Sequence, residues 1–286
     1  RSCLVGSEMC IRDRSSCFLF SILAALIKFA AEYINPIQQS FFRNFLGILI
    51  LAPFFLSQKP FVKYKSNIGL LVLRGFFGGM TMILLFTAYT LIPLSQAMAI
   101  SFSTPLFMYF GSILFFKEKI DLFKTFFLMV GFLFTILIIR PDLKVELGSI
   151  LAVVSAITHA VAGLLVKRLS NDENVLTLMF SMVVLMAPIT FIPSVYVWDE
   201  VDSFFILALL FSLAVIATLG NYFWTKAISL SKLTNLMPFD FTKLIFSTIL
   251  GFFFFQEKID LITSICGIGL IVCNSFIAGK IKNEKA

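Results

Sequence analysis

The sequence predicts an all-α membrane protein with ten transmembrane helices, arranged as two inverted repeats of five helices each. Three observations predict this fold: the composition is strongly apolar, ten segments are long enough to cross a bilayer, and one short charged motif occurs twice. Of the 286 residues, 59% are hydrophobic and 14% are charged, and the mean hydropathy is +0.98. A chain with so few polar groups has too little polar surface to cover a water-soluble domain, so the composition predicts a membrane protein.

Ten apolar segments have the length of a membrane span. A hydrocarbon core about 30 Å thick takes roughly 20 residues of helix, because a helix satisfies its own backbone hydrogen bonds there. The first five predicted spans are 16–34, 36–56, 67–91, 94–116 and 122–139. The second five are 148–166, 175–198, 204–226, 233–255 and 261–278. Short polar linkers join them, so we expect no inserted soluble domain.

The first 15 residues are predicted to be a leader that is not native to the protein. The stretch "RSCLVGSEMCIRDRSS" has no initiating Met, and its apolar run is too short for a signal peptide. It resembles translated sequencing-adapter sequence; a basic cytoplasmic tail is the alternative. We therefore expect a first repeat at 16–140, a second repeat at 141–280 and a cytoplasmic tail at 281–286.

The distribution of Lys and Arg predicts the orientation. With both termini in the cytoplasm, thirteen of these residues beyond the leader flank the spans on the inner side and three on the outer side. Such a bias is typical of cytoplasmic loops, and we expect the bacterial cytoplasmic (inner) membrane. Topology and the anionic inner leaflet then explain the net charge of +7, so we expect the lipid bilayer, and no nucleic acid, as a partner.

The repeated motif indicates an internal duplication. "FFKEKID" stands at 115–121 and "FFQEKID" at 254–260, and a shift of 139 residues gives 13 identities over the 35 positions from 88 to 122. Five spans per half is an odd number, so the second copy enters the membrane from the opposite face. Inverted repeats are typical of secondary transporters, in which two equivalent halves open a central site to either side. A duplication kept only for packing is the alternative.

These regions resemble a known family. "GLLVLRGFFGGMTMILLFTAYTLIPLSQAMAISFSTPLFMYFGSILFFKEKI" and "VIATLGNYFWTKAISLSKLTNLMPFDFTKLIFSTILGFFFFQEKID" are similar to the signature regions of the drug/metabolite transporter superfamily in its ten-helix EamA form. The resemblance covers 16–279 and implies a secondary transporter of a small organic metabolite, such as an amino acid, an amine or a nucleoside-like solute, working by alternating access. "PFDFTKLIF" resembles bacterial carriers for the uptake of S-adenosylmethionine.

Other function classes have less support in the sequence. An enzyme would need a nucleophile, an acid–base pair or a metal cluster, yet the chain has one His and no Walker or Gly-x-Ser-x-Gly motif. We expect no cofactor and no metal. A non-transporting scaffold or receptor is the alternative function. For a transporter, the sequence leaves open whether a proton or a counter-substrate drives transport and whether the protein forms a homo-oligomer.

Ionisable residues within the predicted spans are the leading candidates for a substrate site, because they are costly in a membrane. His159 lies near the middle of its span, and Asp240 and Lys243 lie three residues apart on one helix face. Asp240 and Lys243 either neutralise each other or bind substrate or a proton. His159 either contacts substrate or is a hydrogen-bonded packing residue. Asn221, Trp224, Tyr89, Ser101 and Thr104 are expected to add polar and aromatic lining.

A second charged group lies in the first two spans. Lys28 and Glu32 are spaced i, i+4, and Arg43 follows the "NP" turn at a similar depth. We expect a salt-bridge cluster near the outer mouth; an outer gate, or an Arg43 that binds a carboxylate, is the functional alternative. Arg74 is expected to extend towards the inner surface. Gly75, Gly78 and Gly79 are expected to allow close helix packing.

Overall fold

The structure, a computed structural model, describes residues 2–57, 68–92, 100–139, 146–255 and 261–283. Within those ranges every regular element is helical, as predicted. The first half contains α1 (Ser2–Ala30), α2 (Pro36–Ser57), α3 (Ile68–Leu91), α4 (Thr104–Phe116) and α5 (Leu122–Ile139). The second half contains α6 (Leu147–Leu169), α7 (Val175–Val195), α8 (Phe204–Leu230), α9a (Leu233–Leu236), α9b (Thr242–Phe255) and α10 (Leu261–Asn283).

Two expectations about the helices need correction. The ninth span was expected to be one helix over 233–255, but a 3₁₀ segment, Met237–Phe241, separates α9a from α9b. Pro238 lies in this segment and has no amide hydrogen, so it cannot continue the α-helical bonding pattern. The fourth span also begins irregularly: residues 102 and 103 form a turn before α4, and 94–99 lie outside the described residues. Broken helices of this kind place backbone and side chains at the centre of a transporter.

The first helix also differs from the expectation. α1 runs without interruption from Ser2, so residues 2–15 extend the first span as a helix. By length and composition, α2, α3, α6, α7 and α8 can each cross a membrane.

The packing of the helices has the symmetry that the repeat predicts. A shift of 139 residues converts α1 to α5 into the spans of α6 to α10. The most extensive contacts join α3 to α6 and α1 to α8. These two contacts are equivalent, because the shift relates α1 to α6 and α3 to α8. The pairs α1–α9b and α4–α6 are equivalent in the same way, while α2–α7 and α5–α10 each pair a helix with its own copy. The halves are therefore related by a pseudo-two-fold axis.

The two halves run in opposite directions. Glu118, just beyond the end of α4, accepts hydrogen bonds from the backbone amides of Leu233 (3.1 Å) and Thr234 (2.9 Å) at the start of α9a. Phe102, in the turn before the start of α4, has its ring 6.4 Å from that of Phe241, in the 3₁₀ segment that follows α9a. The end of one helix thus meets the start of its copy, so the equivalent helices are antiparallel and the repeat is inverted.

The charged motif is explained by the helix ends that it caps. α4 ends at Phe116, and the residue that caps it, Lys117, adopts the left-handed conformation (φ 53°). Glu118 then binds the N-terminus of α9a, and Asp121 Oδ1 accepts from the amides of Phe123 and Lys124 at the start of α5. Both carboxylates satisfy amides that a helix leaves without an internal partner. The second copy of the motif lies at 254–260, where residues 256–260 are outside the described residues.

Glycine brings α3 against α7, as predicted. A Cβ at Gly75 would lie 2.5 Å from Leu185 Cβ, and one at Gly79 would lie 2.7 Å from Ile189 Cγ2. Any larger residue at these positions would force the helices apart. This close contact helps to form one wall of the central cavity.

Candidate functional site

A cavity of about 310 Å³ lies between the two halves. Both halves line it, through α1 to α4 from the first and α6 to α9b from the second. Its charged, polar and indole side chains are Arg43, Arg74, Thr81, Ser101, Thr104, His159, Asn221, Trp224, Asp240 and Lys243. The volume suits a small organic molecule.

The break in the ninth helix presents an ion pair to this cavity. Asp240 lies in the 3₁₀ segment and Lys243 in the first turn of α9b, with Lys243 Nζ 2.5 Å from Asp240 Oδ1. Lys243 Nζ also lies 5.2 Å from the centre of the Phe20 ring, a cation–π distance. The Ser21 hydroxyl donates to the Lys243 carbonyl (2.9 Å) and so ties α1 to the broken helix. Asp240 and Lys243 neutralise each other while both face the cavity.

His159 on α6 and Trp224 on α8 form an aromatic wall. Their rings are 6.1 Å apart and inclined at 45°. The imidazole makes no side-chain hydrogen bond to any described residue, so a hydrogen-bonded packing role has no partner in that part of the chain. Lys243, Asp240 and Arg43 all lie near enough to interact electrostatically with His159.

Arg43 on α2 lines the cavity, whereas the other two members of its expected cluster are exposed. Lys28 and Glu32 both have exposed side chains. Within the described residues, Glu32 forms no ion pair with Arg43 or with Lys28. The i, i+4 spacing of Lys28 and Glu32 placed those two residues on one face of a helix. Arg43 belongs to a different helix, α2, whose orientation directs its side chain into the cavity.

A match to a family model decides the identity of the chain. The model described as the EamA-like transporter family matches residues 15–140 and again 146–279. The chain belongs to the EamA-like transporter family. The two matches cover most of the sequence and coincide with the two halves of the structure. The resemblance noted in the sequence is thus confirmed, and the family name describes a transporter rather than an enzyme.

Curated relatives of this EamA protein carry functional names, and two examples differ in the direction of transport that they name. A pseudopaline exporter of Pseudomonas aeruginosa is 26% identical over 263 residues, which cover 89% of this chain and 90% of the relative. An S-adenosylmethionine uptake transporter of Rickettsia prowazekii is 27% identical over 251 residues, which cover 85% and 84%. One solved crystal structure superposes with a TM-score of 0.81 over 97% of this chain and 98% of its own, at 15% identity. At that identity the likeness shows the fold alone.

The cavity of this EamA protein is symmetric in position but not in chemistry. Under the 139-residue shift, polar or aromatic lining residues correspond to neutral ones that also line the cavity. The pairs are Asp240 with Ser101, Lys243 with Thr104, His159 with Phe20, Arg43 with Met182, Asn221 with Met82, and Trp224 with Leu85. Asp240, Lys243 and Arg43 each have an uncharged equivalent on the cavity wall, whereas the equivalent of Arg74 is Leu213, which is not a lining residue. A bound molecule therefore meets two different walls.

Arg74 is the cavity residue that sequence reasoning placed wrongly. It was expected to extend to the inner surface, but it is only 3% exposed and lines the cavity. Its guanidinium donates to the Leu178 carbonyl and lies 3.5 Å from the Met182 sulfur. The prediction used only the distance of Arg74 from the end of its span. The side chain instead turns towards α7, because the Leu178 carbonyl on that helix accepts its hydrogen bond. Among the expected lining residues, Ser101, Thr104, Asn221 and Trp224 do line the cavity, and the Tyr89 side chain lies outside the described residues.

Proposed function

We propose that this EamA family member is a secondary transporter that carries a small organic metabolite by alternating access. One observation carries the proposal: the cavity is built from equivalent positions of two inverted halves. Two such halves can exchange conformations, so that the same site opens first to one side of the membrane and then to the other. The Lys and Arg distribution supports an inner-membrane location with both termini in the cytoplasm.

The proposed substrate-binding residues are those that combine charge or hydrogen-bonding capacity with a place on the cavity wall. They are Asp240, Lys243, His159, Asn221, Trp224, Ser101 and Thr104, with Tyr89 from the sequence. The proposed gate or ion pair comprises Lys28 in the last turn of α1, Glu32 just beyond that helix, and Arg43 on α2. The relatives are named for uptake in one case and export in the other, so their names support transport in either direction. An amino acid, an amine or a nucleoside-like solute fits the size of the cavity.

Transport in liposomes tests this function. Purified protein is reconstituted and challenged with labelled metabolites, including S-adenosylmethionine, with and without a proton gradient. We expect Asp240→Asn to lower the transport rate at least about tenfold, while Asp172→Asn, which removes an exposed carboxylate outside the cavity, leaves it unchanged.

Asp240→Asn also leaves Lys243 without its carboxylate, which is destabilising by itself. The double variant Asp240→Asn/Lys243→Met removes both charges and restores neutrality. Wild-type transport by a folded double variant would exclude the ion pair from the mechanism. Absence of vectorial movement of every solute by the wild-type protein would contradict the transporter itself.

A further inference from the structure

The charges that line the cavity do not balance. Three cations, Arg43, Arg74 and Lys243, face it together with one carboxylate, that of Asp240. The ammonium group of Lys243 already forms an ion pair with this carboxylate, with Nζ 2.5 Å from Oδ1. Two guanidinium groups are therefore left without a carboxylate among the lining residues.

The two guanidinium groups differ in their surroundings. Arg74 binds the Leu178 carbonyl of α7 and is buried against that helix. Arg43 makes no hydrogen bond, ion pair or ring contact with any described residue, although it lies on the cavity wall. A charge in such a site is costly unless something pairs with it. The equivalent position in the other half is Met182, so the fold itself does not require a cation there.

We propose that Arg43 binds a carboxylate group of the substrate, so that the metabolite carried by this protein is a carboxylate rather than a simple amine. A guanidinium presents a planar fork of donors that matches a carboxylate with two parallel hydrogen bonds. The excess positive charge of the cavity attracts such an anion and repels a solute that is only cationic. This inference rests on the proposed transport function and specifies the chemistry of its site.

The same geometry assigns the two ends of the substrate to different halves. Arg43 belongs to the first half, while Trp224 and His159 belong to the second. A carboxylate on Arg43 leaves the body of the metabolite against the rings of Trp224 and His159. The bound molecule then contacts both halves at once, at the interface about which the halves are proposed to move.

Ligand-induced stabilisation of the purified full chain tests the proposal, because a ligand that binds the folded state raises its apparent Tm. The probes are matched acids and amides: L-glutamate with L-glutamine, L-aspartate with L-asparagine, and L-tryptophan with L-tryptophanamide. We expect a rise in Tm with at least one acid and a smaller or absent rise with its amide. Arg43→Met should abolish the rise, Arg43→Lys should retain part of it, and Arg168→Met, which removes an exposed guanidinium paired with Asp172, should retain all of it.

Equal stabilisation by an acid and its amide, or by the wild type and Arg43→Met, would overturn the assignment. A second measurement decides the matter if none of the six probes shifts the Tm. Without ligand, Arg43→Met should raise the Tm above that of the wild type, because it removes an unneutralised cation; a lower Tm would mean a structural role and would overturn the proposal. Because these measurements record binding and folding, they stand or fall separately from the liposome assay.

Discussion

Phe102 and Phe241 contact each other although they occupy the same position in two different halves of the chain. Their rings are 6.4 Å apart, and the residues are related by the 139-residue shift. A residue touches its own copy only near the axis that relates the halves. Phe102 also lines the cavity, so the axis passes beside the site at which substrate is proposed to bind.

The inverted repeat predicts opposite exposure of the two copies of the charged motif. Single cysteines introduced as Lys119→Cys and Lys258→Cys in a background without other cysteines should react with a membrane-impermeant thiol reagent from opposite sides of the bilayer. In right-side-out vesicles we expect labelling at 258 and none at 119, because the Lys and Arg distribution places 119 in the cytoplasm. Labelling of both from one side would contradict the inversion, and labelling of 119 alone would reverse the predicted orientation.

Glu118 is predicted to stabilise the start of the ninth span. Glu118→Ala removes the acceptor for the amides of Leu233 and Thr234 and should lower the free energy of unfolding by roughly 1–2 kcal/mol, the usual cost of a lost cap. Glu118→Gln keeps one neutral acceptor and should cost less. Glu146 is the matched control because it precedes α6 without a capping bond from its side chain. Thermal or denaturant unfolding in detergent measures the difference, and an equal effect of Glu118→Ala and Glu146→Ala would exclude the capping role.

The repeat also predicts what Lys28 does. Its equivalent, Lys167, donates to the carbonyls of Ile228 (2.9 Å) and Ser231 (2.5 Å) at the end of α8, where a cation is favourable. The corresponding carbonyls for Lys28 are those of residues 89 and 92, at the end of α3. Lys28→Met and Lys167→Met should therefore lower the Tm by similar amounts. A Lys28→Met protein that keeps its Tm but transports at an altered rate would instead support the gate.

We predict that residues 1–15 are not needed for transport, and that the buried carboxylate of Asp13 destabilises this segment. Asp13 is 1% exposed, and neither of its carboxylate oxygens has a hydrogen-bond partner among the described residues. A buried polar group without a partner costs about 1–3 kcal/mol. Asp13→Leu should raise the Tm, and a chain that starts with Met before Ser16 should transport as well as the full sequence. A fall in Tm with Asp13→Leu would mean that the carboxylate has a stabilising partner.

Hydropathy and the 139-residue shift were sufficient to predict the fold, because span length and the duplicated motif are visible in the sequence without knowledge of how the helices pack. The break at Met237–Phe241 was missed because a run of apolar residues has the same hydropathy whether or not Pro238 interrupts its hydrogen bonds. The inward direction of Arg43 and Arg74 depends on how neighbouring helices pack, which no spacing along one helix reveals. The correspondence of Asp240 with Ser101, by contrast, was already contained in the shift.

The difference in chemistry between equivalent positions of the cavity separates the proposed choice of substrate from the proposed movement of the two halves. The two halves make equivalent pairs of helix contacts, whereas six pairs of equivalent positions on the cavity wall carry different side chains. We therefore expect substitutions at those positions to change which solute binds, while the proposed exchange between states is preserved. Because equivalent positions need not carry the same side chain, one symmetric scaffold can present a different binding surface for each kind of solute.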